Sequence, residues 1–295
     1  MSLTSKAMLC DLSISAFSNT RKDKRATEST ARQEGADLDA VSVSKNILPP
    51  ATLKPFTSLI QKIRSDTFYK MTLPWGENGG PRICPSRIYS ELESALIQGR
   101  NDLQALVSTK LAPSLPSLLA DVPRRLGAMY DPRQVPTEQT ILSSFSISWE
   151  FMPIPESGDF RVEIAESEVQ RLAADYQHAK MKREQLATRD IWERACAAIS
   201  HLAERLAARD ESEAGPEGTR KSPIRESTLD KLLELSDLIP RLNVLEDPAV
   251  DLLASDMRTK LCKYSAYQLK ELPSARVEVM DEATRLIDLM SGRLA

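Results

Sequence analysis

ESEVQRLAADYQHAKMKREQLATRDIWERACAAISHLAERLAARD, residues 166 to 210, runs for 45 residues without a proline or a glycine. Within it Trp192, Ala195, Ile199, Leu202 and Leu206 recur at i, i+3, i+7, i+10 and i+14. That spacing lines one side of a helix, in the manner of a coiled-coil seam. The stretch therefore predicts a long amphipathic helix, and it sets the character of the second half of the chain. ESEAGPEGTRKSP, residues 211–223, follows with two Gly and two Pro and predicts an exposed loop. Leu229, Leu232, Leu233 and Ile239 then mark a second helical face, and LCKYSAYQL and RVEVMDEATRLIDLM mark the last helices. Residues 165–295 read as an antiparallel helical bundle with polar outer faces.

Residues 1–164 are more mixed. Phe145, Ile147, Trp149 and Phe151 alternate with Ser146, Ser148 and Glu150, the period of a strand with one buried face. Phe160, Val162 and Ile164 repeat the pattern after PIPESGD, so the two segments are expected to pair. LCDLSISAF (9–17) and AVSVSKNIL (40–48) are shorter strand candidates, with a turn expected near Gly35. Phe56, Leu59, Ile60 and Ile63 predict a helix through residues 56–70. Ile88, Leu92, Leu96 and Ile97, then Leu103, Leu106 and Val107, predict another, capped by Ser86. The prolines of LAPSLPSLLADVP (111–123) are expected to break that pattern, and Pro136 and Thr137 to open a short helix over TEQTILSSF. The predicted class is α+β, predominantly α-helical, with a small antiparallel sheet packed against a helical bundle.

KMTLPWGENGGPRICP, residues 70–85, carries the densest punctuation of the chain. It lacks the GxxxxGK[ST] order of a phosphate loop and the GxGxxG order of a dinucleotide site. Its glycines permit turns and its prolines stiffen them, so a rigid connector is expected. Trp75 is expected to pin it between the helix ending near Tyr69 and the strand at 145–151. The other reading of Trp75 is a partner contact.

Composition narrows the chemistry. The 39 Lys and Arg stand against 42 Asp and Glu, so the chain as a whole is no polyanion-coating protein. Local charge is another matter: Arg21, Lys22, Lys24 and Arg25 form a compact basic cluster suited to phosphates, or else a solvated turn. Two His and four scattered Cys lack HExxH or CxxC spacing, and no GxSxG elbow occurs. His178 sits in polar surroundings, while His201 beside the stripe is expected to be packed. No catalytic, cofactor or metal residue is nominated, and a non-enzymatic protein is expected. The remaining alternative is an enzyme whose site gathers distant carboxylates. No apolar run reaches the length of a membrane span and the N-terminus is a poor secretion signal, so a cytoplasmic setting without membrane contact is expected. Trp192 and Leu202 are the candidate partner contacts if the stripe is longer than the core can cover.

LSISAFSNTRKDKRAT, TLPWGENGGPRICP, SWEFMPIPESGDFRVEI and DIWERACAAISHLAERL, in that order, resemble an uncharacterised family of tailed bacteriophages and mobile elements. The residues that carry the resemblance are Trp75, Gly76, Pro85, Trp149, Phe151, Asp159, Phe160 and Arg161. The resemblance implies no catalytic residue. Some members of that family neighbour genes for a MoxR-like AAA ATPase and a von Willebrand A domain protein. It therefore implies an accessory factor in the host bacterial cytoplasm that acts through a protein partner, such as an AAA ATPase, or through its own oligomer. A DNA-binding accessory using the basic cluster is the second functional reading.

Overall fold

The computed structural model describes residues 3–77, 79–156, 166–213 and 224–294, with the side chains of 208–213 excepted. The chain is predominantly helical, with a small antiparallel sheet packed against a helical bundle. It divides into two compact units that interleave in sequence. The first unit comprises Met1–Asp11, Met71–Tyr89 and Phe151–Ala295, and the second Leu12–Lys70 and Ser90–Glu150. Residue 164, where strand-like sequence gives way to helical sequence, is not where these units divide.

The strands are β1 (Ala7–Ser15), β2 (Thr20–Lys22), β3 (Ser44–Asn46), β4 (Leu73–Pro74), β5 (Arg82–Pro85) and β6 (Ser146–Met152). One sheet has the order β4-β5-β1-β6, and β2 and β3 form a separate antiparallel pair. In the first unit, β1 and β5 are antiparallel with Ala7 opposite Pro85 and Cys10 opposite Arg82, and Leu73 of β4 faces Ile83. The punctuated stretch is thus a β-hairpin inserted at a sheet edge. Gly79 and Gly80 take φ of 85° and 86°, a region that side-chain-bearing residues avoid, and let the chain reverse.

That hairpin lies on α6 (Glu166–Glu213), the 48-residue helix that realises the opening stretch. The start of the hairpin is tied down by arginines: Arg82 Nε donates to Thr72 Oγ1 at 2.7 Å, while Arg82 and Arg194 both donate to the Thr72 carbonyl oxygen, at 3.0 and 2.8 Å. Trp75 is buried, and the Arg183 guanidinium of α6 lies 4.8 Å from its ring centre. A cation over an aromatic face is attractive, and the stem of the arginine covers the ring from water.

The bundle is completed by α7 (Glu226–Leu242), α8 (Pro248–Asp256), α9 (Ala266–Glu271) and α10 (Pro273–Leu294). Trp192, Ala195, Ile199, Leu202 and Leu206 are all buried, with α10 and α7 packed against α6. Leu202 is 0 % and Trp192 3 % exposed, so the chain's own helices cover the stripe from Trp192 onward. His201 is exposed rather than packed, because it lies one residue off the stripe and points away from it. Helix α6 continues through residues 211–213, the start of the expected loop, and the rest of that loop lies outside the described residues. So does the expected strand at 160–164.

The second unit holds α1 (Lys24–Glu34), α2 (Pro50–Lys62), α3 (Tyr89–Leu106) but for its first residue, α4 (Ala112–Leu126) and α5 (Glu138–Ser143). Helix α1 occupies the place where a turn between two strands was expected. Asp23 caps it by accepting from the Ala26 amide, and Gly35, with φ of 66°, ends it. With only Ala26 and Ala31 as apolar residues, it shows no apolar stripe in the sequence. The prolines at 113 and 116 do not break the helical path either. A π-helical stretch, Val107–Leu111, links α3 to α4, and α4 carries Pro113 in its first turn and Pro116 and Pro123 further along. A second π-helical stretch, Ile63–Tyr69, extends α2. A β-carbon on Gly99 of α3 would come within 2.9 Å of Ile63 Cγ1, so glycine there allows a close helix approach. Phe56 and Phe145 rings, 5.1 Å apart, anchor the core of this unit.

Candidate binding cleft

An open cleft of about 800 Å³ lies in the first unit. One wall is the α6 segment Met181–Trp192, and the far wall is built by Leu245, Asp247 and the end of α10, Arg293 and Leu294. Glu77, at the tip of the β4–β5 hairpin, closes one side. Met181, Gln185, Thr188 and Trp192 stand at i, i+4, i+7 and i+11 on α6, so one side of the helix feeds the cleft over about three turns.

Trp192 forms the floor. The Arg293 guanidinium sits 4.9 Å above its ring and its Nη1 lies 3.7 Å from Asp247 Oδ2. Asp247 is itself fixed, since it caps α8 by accepting from the Ala249 amide at 2.9 Å. The Asn243 side chain holds the same turn by donating to the Asp247 carbonyl and accepting from its amide. Between Leu245 and Asp247, Glu246 has φ of 55°, the only non-glycine residue with positive φ among the described residues. Such a conformation is unfavourable for a glutamate and is maintained by its surroundings. Lys6 Nζ pairs with Glu246 at 2.5 Å, and Arg87 stands 3.7 Å away. Those cations hold the Glu246 carboxyl below the usual carboxylate range, with the Lys6 hydrogen bond as the main cause. The strained turn leaves Leu245 39 % exposed at the cleft mouth, and Met181 across from it is 55 % exposed.

The rim carries both signs. Arg189 pairs with Glu193 at 2.8 Å, and Lys182, Glu184 and Glu77 complete it. The arrangement is amphipathic: a tryptophan floor, a methionine and leucines at the sides, and charges at the edge. None of the lining residues is a histidine, cysteine or serine nucleophile, and among the described residues no group of three or more His, Cys, Asp or Glu is placed to hold a metal ion. Cys10 and Cys84, in adjacent strands, are buried; burial is the main cause that pushes their thiols up to about 12 and about 11, which makes them inert at neutral pH.

Of the residues nominated from sequence, Trp192 alone lies in this cleft. Trp75 seals the neighbouring hairpin and Leu202 is in the bundle core. The basic cluster belongs to the second unit and is split by its local structure. Arg21 donates to the carbonyls of Ser18 and Thr20 and stacks near Phe17, while Arg25 donates to the Ala128 carbonyl; Lys22 and Lys24 are exposed. Met181, Leu245, Glu246, Asp247 and Arg293 were missed. The one available signal was Met181, an apolar residue isolated in KMKRE off the main stripe.

Comparison of the chain with known protein families, with curated proteins and with solved structures finds no match.

Proposed function

We propose that this protein is a non-enzymatic accessory factor that holds an amphipathic helix of a partner protein in the α6 cleft. The observation that carries this reading is the continuation of one side of α6 past the end of α10. From Trp192 onward the stripe is covered by the chain's own helices, whereas Met181, Gln185 and Thr188, upstream of it, face an open cleft. A helix presenting apolar residues at i, i+3 and i+4 fits such a groove, with its flanking charges meeting a rim that offers both signs. The resemblance to phage and mobile-element proteins supports an accessory role in the bacterial cytoplasm and an AAA ATPase assembly as the partner's setting. A partner helix on an ATPase subunit or on a second copy of the chain satisfies the same chemistry, and the experiment below separates them.

A photoreactive amino acid at Met181 tests the reading in the native host. The expected product is one crosslinked partner whose attached peptide has helical apolar periodicity, and Leu245→Glu should abolish it. A crosslink between two copies of this chain makes the partner a homo-oligomer. Equal crosslinking from Met181 and from exposed His178, or none from either, would overturn the cleft as the contact.

A further inference from the structure

The second unit carries a charged surface that no linear motif displays. Strands β2 and β3 place Arg21 opposite Lys45 and Lys22 opposite Ser44. The turn after α4 is then bound onto this pair. Arg125 donates to the carbonyls of Asn46 and Ile47, Arg25 donates to the Ala128 carbonyl at 3.1 Å, and Lys45 Nζ donates to the Met129 carbonyl. Three segments separated by up to a hundred residues, 20–25, 44–47 and 121–133, therefore form one surface.

Their charges do not balance. The three segments contain eight Lys and Arg against Asp23, Asp121 and Asp131, a local excess of five in a chain of formal charge −3. Each of those carboxylates is already engaged: Asp23 with buried Lys45 at 2.8 Å, Asp121 with Arg124 at 2.6 Å, and Asp131 with Arg133 at 3.1 Å. Glu28, Arg32 and Glu34, further along α1, add a net charge of −1. Lys22, Lys24 and Arg25 are exposed and lie outside those three ion pairs. Lys24 and Arg25 occupy the first turn of α1, which has no acidic residue, so they oppose the helix dipole rather than serve it. Tyr130, in the turn between Arg125 and Arg133, is also exposed, at 37 %.

We infer that this surface binds single-stranded nucleic acid. The exposed cations track the phosphates, and Tyr130 supplies a face on which an unpaired base stacks. Local acids neutralised within the fold leave the outer cations to an external polyanion. The tyrosine among them favours a strand whose bases are unpaired over a duplex or an acidic peptide. This inference stands apart from the α6 cleft, which lies in the other unit and has a balanced rim.

Fluorescence anisotropy of a labelled oligothymidylate with the full chain tests it. Binding should weaken with salt, with a slope of log K against log salt of about −3 if four phosphates are neutralised. The Lys22→Glu, Lys24→Glu double variant should weaken binding about 10-fold or more and flatten that slope, whereas Arg124→Gln, whose charge is already matched by Asp121, should change both less. Tyr130→Ala should weaken single-strand binding about 10-fold and duplex binding less. Circular dichroism and urea midpoints of these variants should match the parent, since the changed side chains are on the surface. No binding at low salt, or a salt-independent signal, would overturn the inference. So would indifference to Tyr130→Ala together with equal binding of polyglutamate, or binding of phosphatidylserine vesicles in place of the oligonucleotide.

Discussion

Two tryptophans on the first unit are each covered by an arginine, yet their surroundings differ. Trp75 lies under Arg183, in a hairpin whose carbonyl at Thr72 is bonded by Arg82 and Arg194 and whose reversal depends on two glycines with positive φ. Trp192 lies under Arg293, whose guanidinium is also 3.7 Å from Asp247 at the edge of an open cleft. The first arrangement closes a surface inside the fold. The second ends at a groove with exposed Met181 and Leu245 on its sides. The same cation–aromatic contact thus serves as a seal in one place and as the floor of a binding surface in the other; neighbouring backbone and exposure decide which.

The largest expected effect is on the seal. Trp75→Ala should lower stability by about 3–5 kcal/mol, read as a fall in urea midpoint with unchanged slope. A variant that keeps its midpoint would place Trp75 with the binding surface and dissolve the contrast.

Alkaline titration probes the sheet that receives the hairpin. Cys10 and Cys84 hold their protons in the folded chain to about 12 and about 11, against an ordinary value of 9.0, because burial disfavours the thiolate. Their folded-state values are raised, so the stability linked to them is complete below pH 9 and is lost as pH rises from there towards 11–12. Urea midpoints measured from pH 8 to 11 should fall in a manner that Cys10→Ala, Cys84→Ala suppresses. Thiol reagents should leave both cysteines unmodified at pH 8 until the chain unfolds.

Smaller effects separate the two arginines. Arg183→Ala and Arg293→Ala should each cost roughly 0.5–2 kcal/mol of stability through the lost cation–aromatic contact. Only Arg293→Ala should also weaken partner capture at the cleft. Smallest is Met181→Glu, whose effect on the urea midpoint should stay within about 0.5 kcal/mol while partner capture is lost.

The helical half was legible because period carries it: Trp192 to Leu206 form a stripe that the sequence displays and the bundle buries. The sheet was partly legible. Ile147, Trp149 and Phe151 alternate as expected, but β4 and β5 are too short, and too rich in proline, to be seen as strands. Helix α1 was hidden because its caps, Asp23 and Gly35, are also turn residues. The cleft was almost illegible. Its lining comes from residues 77, 181–192, 245–247 and 293–294, and only tertiary packing brings these together. Glu246 gives no sequence sign of its conformation, because its positive φ falls on a residue with a side chain, where a glycine would have marked the turn.

The most direct test is hydrogen exchange of the chain alone and with the partner captured through Met181. The account predicts slower exchange at residues 181–192 and 245–247, with the 73–85 hairpin near Trp75 unchanged except at Glu77. Protection confined to other helices, with 181–192 exchanging as in the free chain, would contradict it.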